Sequence, residues 1–150
     1  MLSLAHTIIS IPFGIIFQNP LLAFLSAFIM HFICDRFLHW NIYPHKMPTY
    51  PFIWIAFDVV LGLGLAYLIA GNTVFTISIL AAILGGNMPD ILHAFWSMLT
   101  IHQKKVFPRF ITSYFNFHES IQRETDSIPR GLISQIVLGI IAIIITRILI

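Results

Sequence analysis

The stretch Pro20-Leu-Leu-Ala-Phe-Leu-Ser-Ala-Phe-Ile-Met-His31-Phe-Ile-Cys-Asp35-Arg-Phe-Leu-His39-Trp40 is an apolar run that ends in ionisable groups at spacing four. An α-helix has 3.6 residues per turn, so positions i, i+4 and i+8 come nearly into line. His31, Asp35 and His39 are therefore expected to form a stripe on one helical face. Such a stripe needs partners, and the rest of the chain decides what they are.

Of the 150 residues, 58% are apolar and only 9% are charged, against about 25% charge in ordinary soluble domains. This composition predicts an all-α integral membrane protein with one domain over residues 1–150. The length accommodates about five spanning helices of about 20 residues. A net charge of +2 is too small to argue for nucleic acid. The single cysteine, Cys34, excludes a disulfide within the chain and any multi-cysteine zinc or redox motif, and its expected role is apolar packing. The amino terminus lacks the positive region and small-residue cleavage site of a secretory signal, so its apolar segment is expected to be retained.

Working outward from the opening stretch, the expected spans are 2–17, 20–40, 52–70, 74–97 and 131–149. Pro12 and Gly14 are expected to kink the first, and Asn19-Pro20 to turn the chain into the second. Trp40, Tyr43, Tyr50 and Trp54 flank a polar connection, as aromatic residues do at headgroup level. Gly71-Asn72 reads as a tight turn. The fourth span is expected to pause at Met88-Pro89-Asp90 and restart at Ile91. Between 99 and 129 lie Lys104, Lys105, Arg109, Arg123, Glu119, Glu124 and Asp126, among Phe107, Phe110, Tyr114, Phe115 and Phe117. That mixture predicts an interfacial amphipathic helix and loop with membrane-anchoring aromatics. Lys46, Lys104, Lys105, Arg109, Arg123 and Arg130 all fall on one side of this topology, which the positive-inside rule makes cytoplasmic.

On that topology His6, Asp35, His39, Asp58, Asp90, His93 and His118 converge on the same side. Each charged side chain within a span costs about 2.5 to 3.5 kcal/mol unless a partner, a metal or a wet cavity offsets it. Imidazole and carboxylate together suit zinc, manganese or iron. A metal there would make hydroxide available beside the membrane surface. Each residue also has a structural use: Asp90 as a helix cap, Asp58 as a partner of His31 or Arg36, and His39, His45 and His102 as solvated loop residues. The pair His31/Asp35, adjacent and deep, is the hardest to explain structurally.

These residues also carry a family resemblance. Ala5-His6-Thr7-Ile8-Ile9-Ser10, the run Met30-His31 to Asn41, Gly85-Gly-Asn-Met-Pro89-Asp90 and Phe117-His118-Glu-Ser-Ile121-Gln122 resemble motifs of the membrane-bound metal-dependent hydrolases, a family of inner-membrane-associated proteins. The chain departs from the family pattern at Leu38 (usually proline), Asn41 (usually aspartate) and Gln122 (usually histidine), and it lacks the H-R-x-x-T-H-S motif of longer relatives. The resemblance implies a divalent metal, zinc first with manganese or iron as alternatives, held by His6, His31, Asp35 and Asp90. Asp35, Asp90, His39 and His118 are the catalytic candidates, with His39 or His118 completing the metal site or shuttling protons. A weaker similarity of the His/Asp pattern and the Pro-Asp dipeptide to zinc-dependent phospholipases implies phosphoester substrates. The expected function is hydrolysis of an ester or phosphoester, including a lipid, at the cytoplasmic face of a prokaryotic inner membrane. The alternatives are an ion- or proton-coupled transporter and a structural membrane protein built on the same cluster.

Overall fold

A computed structural model of the chain describes residues 1–42, 51–97, 99 and 107–150. His45, Lys46, His102, Lys104 and Lys105, singled out above, lie outside the described residues. Among the described residues there are six α-helices: α1 (Ser3–Ile16), α2 (Pro20–Cys34), α3 (Pro51–Ala70), α4 (Ile77–Ser97), α5 (Arg109–Ile121) and α6 (Ile128–Leu149). A 3-10 turn, Gly71–Phe75, joins α3 to α4. Gly71 opens it with φ of +58°, a conformation that side chains with a Cβ avoid.

Among the described residues three helical stretches are long and apolar enough to cross a membrane, Ile53–Phe75, Ile77–Trp96 and Ile128–Leu149, rather than the five expected. α1 has 14 residues and α2 has 15. At 1.5 Å per residue they reach about 21 to 23 Å, short of the ~30 Å hydrocarbon layer. Hydropathy alone marked them as spans, but their ends are set by local chemistry. The chain leaves α1 at Phe17, and Asn19 then caps α2 by accepting hydrogen bonds from the Leu21 and Leu22 N–H groups at 2.9 and 3.2 Å, with Pro20 at the first helical position. α1 is the central post of the bundle, packing against α2, α3, α4 and α6.

Other boundaries also differ from expectation. α1 runs through Pro12 and α4 runs unbroken through Pro89, so Asp90 lies within α4 and caps nothing. α2 stops at Cys34, so His39 is not on the helix that carries His31. After Asp35 the chain instead pairs with the segment following α5: the Arg123 N–H donates to the Asp35 carbonyl, the His39 N–H to the Arg123 carbonyl and the Thr125 N–H to the His39 carbonyl, each at 2.9 Å. This strap of three bonds ties the exit of α2 to the exit of α5.

Buried polar side chains pin the helices to one another. Asn87 of α4 accepts from the Ser3 hydroxyl at 2.6 Å and donates to Thr7 Oγ1 at 3.1 Å. Gln135 of α6 accepts from the Leu2 N–H at 2.9 Å and donates to the Trp40 carbonyl at 2.8 Å. Asp58 pairs with neither His31 nor Arg36. Its carboxylate accepts from the Ser3 and Leu4 N–H groups at 2.7 and 3.3 Å, so it satisfies the free donors at the start of α1 from a neighbouring helix. Cys34 is buried with Met1, Ala5, Ile8, Ile9 and Ala142 in one of the apolar clusters.

The Asp58→Ala substitution leaves two half-buried donors at the head of α1 without their carboxylate partner. It is expected to cost about 1 to 2 kcal/mol, lowering the thermal midpoint in detergent by about 2 to 8 °C. An unchanged midpoint would show that the capping contributes nothing.

Candidate metal centre

The cluster forms where α1 begins, α2 ends, α4 nears its end and α5 docks. His31 and Asp35 come from the end of α2, Asp90 from α4 and His118 from the last turn of α5. Gly85 and Gly86 let α4 approach closely enough for this. A Cβ at Gly85 would overlap the Phe24 carbonyl of α2, and one at Gly86 would overlap the Ser10 hydroxyl of α1. The same approach brings the Gly86 carbonyl to 2.7 Å from His31 Nδ1. Asp90, four residues further along α4, then faces the same space.

One ligand atom from each of His31, Asp35, Asp90 and His118 lies within 4.8 Å of the others, a grouping that can hold a metal ion. The individual separations are more telling. His31 Nε2 is 3.1 Å from His118 Nε2, 3.2 Å from Asp35 Oδ2 and 3.6 Å from Asp90 Oδ1. His118 Nε2 is 3.6 Å from both Asp35 Oδ2 and Asp90 Oδ1. Bonds of 2.0 to 2.1 Å in a tetrahedron require ligand atoms roughly 3.3 to 3.4 Å apart. These five edges bracket that value.

The tautomers follow from the partners. A carbonyl can only accept, so His31 Nδ1 donates to Gly86, and in its neutral form the ring presents a lone pair at Nε2, the position that a proton shared with Asp35 or His118 otherwise takes. His118 is fixed by a relay. Glu119 accepts from His93 Nε2, 3.3 Å away. The other nitrogen of a neutral His93, Nδ1, is then the acceptor for His118 Nδ1 at 3.1 Å. His118 Nε2 is left with its lone pair facing the cluster. Lone pairs of two imidazoles and two carboxylates aimed at a common point repel unless a cation lies between them. Gln122 relieves part of this, its amide Nε2 donating to Asp35 Oδ2 at 3.3 Å and lying 3.2 Å from His118 Nε2.

His6 and His39, the remaining candidates, lie on the opposite side of Asp35. His6 Nε2 is 3.3 Å and His39 Nε2 3.9 Å from Asp35 Oδ1, and the α-amino group of Met1 is 3.0 Å from the same oxygen. His39 Nδ1 donates to the Phe37 carbonyl at 2.9 Å. Burial, reinforced by the positive α-amino group, lowers the pKa of His39 below its ordinary value. All six candidates thus meet at Asp35 or Asp90. Five are almost fully buried, whereas the Asp90 side chain keeps 30% of its surface open. The cluster opens to its surroundings past Asp90.

His93 was expected on the same side but given no role, and Glu119 and Gln122 were not among the site residues proposed from sequence. Spacing carried a signal for two of them: His93 is three residues beyond Asp90 and Gln122 four beyond His118, so each shares its helical face. The aromatics of α5 also divide in an unforeseen way. Phe115 is buried and stacks on Trp96 with ring centroids 4.7 Å apart, and Tyr114 meets Phe32 edge-on, so these two hold α5 down rather than anchoring it in lipid. Burial and the negative charge of Asp90 raise the pKa of Tyr114. Phe110 and Phe117 remain exposed.

Fold and site together define a helical bundle with three membrane-length helices and, at one end, a buried histidine–aspartate cluster suited to a metal ion. No family model, curated protein or solved structure matches the chain.

Outer hydrogen bonds of this kind typically contribute 10- to 100-fold to metal affinity. His93→Ala is therefore expected to weaken divalent-metal binding by about 10-fold or more in competition with a chromogenic chelator. Glu119→Ala, at an exposed position, should produce a smaller loss in the same direction. Wild-type affinity in both variants would remove the relay.

Proposed function

We propose that the protein is a membrane-bound, metal-dependent hydrolase that cleaves an ester or phosphoester bond, with a lipid headgroup linkage as the substrate class best suited to its position. The observation that carries this reading is the set of fixed Nε2 lone pairs and carboxylate oxygens of His31, His118, Asp35 and Asp90 at tetrahedral spacing. Two nitrogens and two oxygens in that geometry fit zinc, with manganese and iron as alternatives.

A divalent ion held there would supply Lewis acidity and, on taking a fifth ligand beside the four protein groups, would lower the pKa of a bound water towards about 7. The protein's own contribution is orientation and access. Gly86 and the His93–Glu119 relay fix the two imidazoles, Asp35 provides the fully buried anionic wall, and Asp90 stands at the opening where a substrate enters. Exposed Arg36 and Arg123 flank the exits of α2 and α5, where positive charge attracts a phosphate. The outward faces of Phe110 and Phe117 suit contact with the headgroup region. Arg36, Arg109, Arg123 and Arg130 share the site end, while Arg147 lies at the other end beside the Ile69 carbonyl. By the positive-inside rule the site then faces the cytoplasm of a prokaryotic inner membrane.

The purified protein is expected to contain tightly held zinc and to release headgroups from mixed phospholipid vesicles. Release should fall at least ~100-fold with His118→Ala or Asp90→Asn, because each removes a ligand. Absence of metal, together with unchanged stability in chelator, would overturn the reading. Metal flux into proteoliposomes that is lost with Asp35→Asn, without any hydrolysis, would establish a transporter instead.

A further inference from the structure

The contacts of the cluster sort into two sets that share no carboxylate oxygen. His31 and His118 face only Asp35 Oδ2 and Asp90 Oδ1. His6 faces Asp35 Oδ1 at 3.3 Å and Asp90 Oδ2 at 3.8 Å, and His39 faces Asp35 Oδ1 at 3.9 Å. Asp35 thus turns one oxygen to each pair of histidines, and Asp90 turns Oδ1 to His31 and His118 and Oδ2 to His6. A carboxylate shared in this way is the ordinary bridge between two cations.

The second set shows an independent sign of a ligand. His6 Nε2 and His39 Nε2 are fully buried and have no hydrogen-bond partner. For His39 the tautomer is settled: Nδ1 donates to Phe37, so Nε2 holds a lone pair directed at a carboxylate oxygen. Leaving such an atom dry and unpaired costs about 1 to 3 kcal/mol. Two such atoms, both facing Asp35 Oδ1, suit a cation that both could coordinate. The α-amino group of Met1 puts a positive charge beside this oxygen but donates only to the carboxylate, so both imidazoles remain unpaired.

We propose that the cluster holds a pair of divalent cations co-bridged by Asp35 and Asp90, the first bound by His31 and His118 and the second by His6 and His39. This rests on the metal-centre reading above and extends it from one ion to two. The chemical consequence is a site shaped for a phosphoester. Two ions about 3.5 to 4 Å apart can hold both the attacking and the leaving oxygen of an in-line displacement, which one ion cannot. Asn41 and Gln122, where the resembling family carries further potential ligands, are not needed to complete either set.

The test loads the full-length protein in detergent with Mn²⁺ alone and reads both metal content and magnetic coupling. Two ions per chain are expected, with the exchange-coupled electron paramagnetic resonance spectrum of a bridged pair. His39→Ala, and His39→Gln as a variant that keeps more of the packing, should reduce this to one ion with the spectrum of isolated Mn²⁺. One ion per chain in the unmutated protein would overturn the pair while leaving the single-metal reading intact. No bound ion would overturn both. Two ions without coupling would place the second away from Asp35 and Asp90 and would also overturn the proposal. The spectrum of the unmutated protein decides the matter even if neither variant folds.

Discussion

A carboxylate with no access to solvent is the constraint that the rest of the structure answers to. Asp35 sits at the end of an apolar helix, where an unpaired charge is among the most costly features a chain can carry. Its surroundings are built accordingly: four imidazoles, an amide and an amino group lie within reach of its two oxygens. Those groups come from α1, α2, α5 and the segments beside them, so satisfying one side chain fixes how most of the elements meet. The glycine pair of α4 belongs to the same solution. It removes side-chain bulk where α4 crosses α1 and α2, and thereby admits both Asp90 and the carbonyl that holds His31. Packing and polar chemistry are here a single problem.

The parts of this arrangement that were legible in the sequence are those whose signal is local. His31 and Asp35 are one helical turn apart, and that turn forms. Long apolar runs marked α3, α4 and α6 as membrane-length helices, and the cost of charge in such runs drew attention to Asp90. The parts that were not legible depend on contacts between distant residues. Hydropathy cannot separate α1, buried among other helices, from a helix surrounded by lipid, and it does not show where α2, apolar and largely exposed, stops short of spanning length. His39 leaves its helix because its backbone finds partners at Arg123 and Thr125, nearly ninety residues away. Asp58 bonds to backbone N–H groups, which leave no trace in a sequence. Phe115 and Phe110 are the same residue type on one short helix, and only the stacking with Trp96 assigns the first to the interior.

The imidazole tautomers show how far hydrogen-bond donors and acceptors alone can define a site. Gly86, Phe37 and the His93–Glu119 pair each occupy the Nδ1 side of a ring and leave Nε2 to the cluster. The rings thereby offer Nε2 to the cluster, where a metal ion could be held. A merely structural network would distribute donors among these atoms, as Asn87 and Gln135 do elsewhere in the bundle, where every amide contact pairs a donor with an acceptor.

The backbone strap between the segments 35–39 and 123–125 also bears on how the protein is made. Ribosomal synthesis delivers His6, His31, Asp35 and Asp90 while α5 is still missing. Until residues 118–125 emerge, Asp35 lacks His118 and Gln122, and His39 lacks the partners that hold its backbone in place. The first four helices are therefore made before the polar centre can close, and α6 after it. Closing that centre is a late step of biogenesis, in which α5 and the strap after it seat as one piece.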